Sequence, residues 1–204
     1  MLVCVIVAVG LIGAGAWSAA PPEPKIGVVD GQKIDANAPR IKQYKEELDA
    51  FANVLKAKLD IRAQSRMLDE NEIKELIDLK TKEKPIDADK ARITVLTELD
   101  KTKSEELQKL QEAKEPNDQQ KARLNELMDL QKKSSEMGNA LSKDYDGQYQ
   151  SKAIDLQGKI DAEVRAVVAK VAEAKGLTLV FDKAVVVYGG IDITDDVVLR
   201  LDRK

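Results

Sequence analysis

Lys175-Gly176-Leu177-Thr178-Leu179-Val180-Phe181-Asp182 is the stretch where a helical pattern stops and a strand pattern begins, and the fold is read outward from it. Before it, Ile160, Val164, Val167 and Val171 fall along one face of a helix, and Gly176 is placed to end that helix. After it, Leu177 to Asp182 reads as one strand and Val185-Val186-Val187-Tyr188 as another. Asp182-Lys183-Ala184 joins them and Gly189-Gly190 closes the second. Close to the other end of the chain, Lys25-Ile26-Gly27-Val28-Val29-Asp30 has the same short apolar character. Thr194 is a candidate N-cap for a last helix, with Asp195 and Asp196 suited to its first turn. Strands this short do not fold alone, so the expectation is a single sheet assembled from both ends of the chain. Everything between must leave that sheet and return to it.

From about Gln32 to Lys175 there is hardly a strand signal. Ile34, Ile41, Leu48 and Leu55 recur every seven residues, with Ala38, Ala52 and Leu59 on adjoining positions, which is a heptad seam. A duplication lies further on. Pro85-Ile86-Asp87-Ala88-Asp89-Lys90-Ala91-Arg92-Ile93 matches Pro116-Asn117-Asp118-Gln119-Gln120-Lys121-Ala122-Arg123-Leu124, and Ile93, Leu96, Leu99 continue as Leu124, Leu127, Leu130. Ile73, Leu76 and Leu79 are read as a weaker third copy. Each proline interrupts one helix and Asp87 or Asp118 can cap the next. Two paths fit these signals, the first of them the preferred one. One places the distal hairpin at Glu115-Pro116-Asn117-Asp118 with Pro85 a kink or subsidiary turn. The other is a zigzag with reversals near Asp69, Pro85 and Pro116. Between about Leu130 and Ala153 the seam is dilute, with Ser134, Ser135, Gly138, Ser142 and Gly147 among scattered apolar residues.

The composition narrows the function. Charged residues make up 34% of the 204 and aromatics 3%, which suits long solvated helices better than a compact core. The net charge of −3 lacks the basic excess of a nucleic-acid binder. Histidine is absent, removing the commonest general base and transition-metal ligand. The only cysteine, Cys4, lies in an apolar run from Leu2 to Ala16 followed by Trp17-Ser18-Ala19-Ala20. That run is short for a membrane span and fits a cleaved secretory signal over residues 1–20, so an exported protein is expected. No phosphate loop, nucleophile elbow or metal-ligand spacing is found, and Asp192, Asp195 and Asp196 read as capping residues. No enzyme, cofactor or metal is expected.

Ile26 to Asp30, Lys175 to Lys183, Val187-Tyr188-Gly189-Gly190 and Asp192-Ile193-Thr194-Asp195 together resemble the Skp/OmpH family of periplasmic chaperones, and Lys109 to Lys133 resembles that family's arm tip. The resemblance implies an α+β fold and a homotrimer whose small β-sheet heads (21–35 and 176–204) meet in an intersubunit core. A long inserted helical coiled-coil hairpin, or tentacle, would span 36–175, with its tip near 115–118. It implies an ATP-independent holdase for unfolded outer-membrane proteins. The Pro85 duplication makes the arm longer than in compact members. The family is known for basic members, so this acidic chain leaves contact with a membrane or lipopolysaccharide open. On this reading the oligomerisation residues are Ile26, Val28, Val29, Leu179, Val180, Phe181, Val186 and Val187. Met128, Met137, Leu141, Tyr145 and Tyr149 would face the client, and Lys109, Lys114, Lys121 and Arg123 would supply charge at the tip. A structural coiled-coil scaffold of the envelope is the competing reading.

Overall fold

Val28 and Val29 sit in the middle strand of a small sheet, and the order of elements around them follows from local chemistry. In the computed structural model, which describes residues 24–202, the expected signal segment and Cys4 fall outside the described residues. The elements are β1 (Ile26–Val29), α1 (Gly31–Asn37), α2 (Pro39–Gln64), α3 (Glu70–Lys80), α4 (Asp87–Glu112), α5 (Asp118–Ala174), β2 (Leu179–Asp182), β3 (Ile191–Asp192) and α6 (Thr194–Leu201). The sheet order is β2-β1-β3, and β1 is parallel to both neighbours, with Ile26 opposite Leu179, Val28 opposite Phe181 and Gly27 opposite Ile191. Asp30 ends β1 and caps α1, its Oδ1 accepting from the Lys33 N–H at 2.9 Å.

Register decides which side of the sheet is covered. Residues paired across parallel strands lie on one face. Gly27, Val29 and Val180 share a face, and Val29 and Val180 pack against Ile34, Ala38, Ile41, Val171, Ile193, Val197 and Leu201. Ile26, Val28, Leu179 and Phe181 share the other. Of these Val28 is buried, because Gly190 crosses it: a Cβ at Gly190 would stand 2.7 Å from Val28 Cγ1, at a φ of +93°. Only glycine fits there.

The two expected C-terminal strands resolve differently. The run Val185 to Tyr188 is not a strand: Asp182 Oδ1 accepts from the Ala184 N–H at 2.8 Å, curling Lys183–Val185 into a 3₁₀ turn. The third strand is instead Ile191–Asp192. Thr194 is the first residue of α6 rather than its cap. Its hydroxyl accepts from the Asp30 N–H at 2.9 Å and so ties α6 to the end of β1. Gly176 does end α5: at φ +65° it donates to Glu173 O while Leu177 N–H reaches Ala172 O, a Schellman closure.

The heptad seam is broken at Ala38, whose extended backbone and the following Pro39 separate α1 from α2. Beyond it the chain follows the zigzag rather than the preferred single hairpin with a kink at Pro85, because α3 and α4 pair with each other through Glu75 and Arg92. α2 runs antiparallel along α5, as Tyr44 with Glu163, Glu47 with Lys152 and Arg62 with Ser134 show. It ends at Ser65, α3 reverses at Asp69, and α4 reverses again after Pro85. α5 starts after Pro116, with α4 against it through Arg123 and Glu106. Pro85 therefore marks a full reversal. The caps are not Asp87 and Asp118: Asn117 accepts from Gln120 N–H at 2.8 Å, and Asp89 accepts from Ile86 N–H at 2.8 Å. α5 passes through Gly138 and Gly147 without a break.

The duplication has a structural meaning larger than its prolines. Leu76 and Leu107 are buried alike, as are Leu96 and Leu127, and Leu79 and Leu110 are both half-buried. Arg92 grips Glu75 with two nitrogens and Arg123 grips Glu106 the same way, each pair 17 residues apart. Ile73, Leu76 and Leu79 are thus not a third copy. They line the opposing helix of the first hairpin.

Candidate functional site

Two surfaces carry the residues the sequence singled out. The first is the uncovered face of the sheet. Ile26 is 40%, Phe181 43% and Leu179 52% exposed, and beside them Val187 and Tyr188 are wholly exposed. Val29 and Val180 belong to the opposite, packed face, and Val28 lies beneath Gly190. Val186 is half-buried. Among the described residues, helices cover one face only of this three-stranded parallel sheet, which is unusual, because parallel sheets are normally covered on both. Alongside it, between β2 and the last turns of α5, lies an open groove of about 540 Å³ whose lining includes Val164, Val168, Ala172, Leu177 and Phe181.

The neighbouring carboxylates are structural. Asp192 accepts from both the hydroxyl and the N–H of Thr194 and meets Lys183, and these bonds, Thr194 first, hold its carboxyl down to about 2. Asp195 pairs with Lys33 and Asp196 with Lys175, so the three acids point at three different cations. Because the folded chain favours the ionised Asp192, its contribution is present above the ordinary value of 3.8 and is lost as pH falls toward 2. In acid unfolding, the difference between the native chain and Asp192→Asn is therefore expected to shrink below pH 4 and vanish near pH 2. A constant difference down to pH 2 would show that the charge does not fasten β3.

The second surface is the middle of α5. Met128 is 49% and Tyr149 41% exposed, whereas Met137 is half-buried. Leu141 packs into the cluster of Leu68, Ile73, Leu76, Ile77 and Leu96. Tyr145 is buried, with Lys58 Nζ 5.9 Å from its ring centre, and burial pushes its phenol pKa up. So the five do not form one open strip: Met128 and Tyr149 are accessible, and Leu141 and Tyr145 are covered by the chain itself. At the tip, Lys109 and Lys114 are exposed and have no ion-pair partner among the described residues. Lys121 pairs with Asp118 at 3.5 Å, and Arg123 is clamped by Glu106 and Glu126, which raise its pKa.

Sequence reading missed Arg62. It is 5% exposed, lies between α2 and α5, donates to Ser65 O, Ser134 O and Ser134 Oγ, and leaves its Nε without an acceptor. Burial pushes its pKa down. The signal was present, since position 62 is the next step of the series Ile34, Ile41, Leu48, Leu55.

Among the described residues no acidic, histidine or cysteine cluster could hold a metal, and no helix is long and apolar enough to cross a membrane. A bare parallel-sheet face joined to long antiparallel helices with dilute, partly open apolar sides defines an interaction protein. The model of the family "Outer membrane protein (OmpH-like)" matches residues 87–201, and the chain belongs to that family. Family membership supports a periplasmic chaperone-type role and no enzymatic one. No curated protein matches the chain.

Proposed function

We propose that the protein is an ATP-independent periplasmic holdase for unfolded outer-membrane β-barrel proteins, working as a homotrimer. The observation that carries it is the bare sheet face of Ile26, Leu179 and Phe181 with the fully exposed Val187 and Tyr188 at its rim. An apolar face of this kind on an isolated chain calls for a protein partner. Copies of the same face around a closed symmetry axis would bury one another's strands and the extended 185–188 segment. The sheet end, residues 21–35 and 176–204, would then be the oligomerisation head, and 36–175 an arm that projects from it. Arms held around a shared space expose Met128 and Tyr149, and weak, scattered contacts of this kind release a client without an energy source. Flexible methionines suit varied clients.

The test is the light-scattering mass of the chain from Ala19 onward, alone and mixed with a urea-diluted outer-membrane β-barrel protein. A trimer that keeps the barrel protein in a soluble complex without nucleotide is the expected result. A trimer that lets the client aggregate would favour an envelope scaffold, and a monomer would remove the arrangement altogether.

A further inference from the structure

Residues 70–100 leave the arm and come back to the place they left. The Met67 N–H donates to Asp100 Oδ1 at 2.7 Å, and Glu72 pairs with Lys103 at 3.0 Å across the same base. Between those ends α3 and the first half of α4 form a hairpin with its own core of Ile73, Leu76, Ile77 and Leu96 and its own Arg92–Glu75 bridge. This hairpin repeats the construction of the tip, but folds back against the arm instead of extending it. Its core takes Leu68 from the junction and Leu141 from α5, and Asp78 of α3 stands close enough for its charge to act on Tyr145.

The ground beneath the hairpin is weakly fastened. There α2 meets α5 through Arg62, a buried guanidinium held by a hydroxyl and two carbonyls and by no carboxylate. Burial outweighs the attraction of nearby Asp100 for this guanidinium, so burying the charge opposes the contact that buries it, and water reaching Arg62 would relieve that cost. A hairpin with closed ends and a self-contained core can lift from such a seam while the arm stays continuous.

We propose that the 70–100 hairpin is an intramolecular cover on the α5 wall at Leu141 and Tyr145, and that an unfolded apolar polypeptide competes with it for that wall. The proposal rests on the holdase reading and adds a gate to it. A covered site lowers the apparent affinity by the fraction of time it is open, so a cover that is off one time in ten weakens capture about tenfold.

The experiment compares the chain from Ala19 with a variant in which Glu70 to Asp100 are excised and Asp69 is joined to Lys101. Each is titrated into a fluorescently labelled, urea-unfolded outer-membrane β-barrel protein, with anisotropy as the readout. The excised variant is expected to bind about tenfold more tightly. Equal affinity of two folded chains would overturn the cover and leave the holdase standing, whereas binding by neither would overturn both. If excision costs the fold, amide exchange in the intact chain decides. Faster exchange across 70–100 on adding client supports the cover, and unchanged exchange there overturns it.

Discussion

Replacing Phe181 and Tyr188 together by aspartate is expected to convert the protein to monomers and to abolish protection of an unfolded client. Neither side chain belongs to the buried core around Ile34, Ile41 and Val197: Phe181 is 43% exposed and Tyr188 97%. Substitution should therefore leave the helical content and the Ile34, Ile41 and Val197 core intact. In an assembly that buries them, the exposed Tyr188 removes roughly 200 Å² from water and the exposed part of Phe181 a little under half of that, worth about 5 and about 2 kcal/mol at ~25 cal/mol per Å². A carboxylate in the same place adds a desolvation penalty with no partner cation. Losses of that size at every interface exceed what a reversible oligomer tolerates, since 1.4 kcal/mol is already a tenfold change in dissociation constant. Light scattering and far-ultraviolet circular dichroism, measured on the same sample, give the check. Monomers with native helicity are the expected outcome. A double variant that keeps the native mass would place the interface elsewhere than on this face.

What could be read from the sequence divides along a physical line. Patterns that depend on neighbours in the chain were legible: the closing glycine at Gly176, the strand at β1, the restarts after Pro85 and Pro116. Patterns that depend on a distant partner were not. Val185 to Tyr188 has strand composition, yet the Asp182 side chain curls Lys183–Val185 into a 3₁₀ turn, and the sheet takes Ile191–Asp192 as its third strand instead. Thr194 has a capping side chain, but the Asp30 N–H outbids its own helix for the hydroxyl. The tip residue Arg123 looks like free charge in the sequence because Glu106, which neutralises it, comes from the preceding helix. The exposed candidates Met128 and Tyr149 and the covered Leu141 and Tyr145 look equivalent in a dilute seam. What separates them is the packing of a hairpin that periodicity alone cannot place. Arg62 is the converse case, where the heptad series did point at a buried position and the residue type concealed it.

The duplication supplies the sharpest test of how the arm is built, because Leu96 and Leu127 hold equivalent positions in its two copies. Both are almost fully buried, Leu96 among Leu68, Ile73 and Leu76, and Leu127 beside Met67 and Leu107. Truncating either to alanine removes the same atoms and leaves a comparable cavity, at a cost of about 2–5 kcal/mol. The consequences should differ by location. Leu96→Ala weakens a hairpin whose ends are already joined at Met67 and Asp100, so local opening need not propagate. Its amides from Glu70 to Asp100 are expected to exchange roughly 30-fold to several-thousand-fold faster, the same loss of about 2–5 kcal/mol confined to one cooperative unit. The Arg40–Tyr44–Glu163 contact, far along α5, should keep its protection. Leu127→Ala should instead loosen the turn at Pro116 and the Met67 junction together, because its cluster bridges the tip hairpin and the end of α2. Peptide-resolved exchange on both variants separates the cases. If Leu96→Ala accelerates the whole of α5, the two hairpins share one cooperative core, and the side hairpin cannot lift while the arm holds.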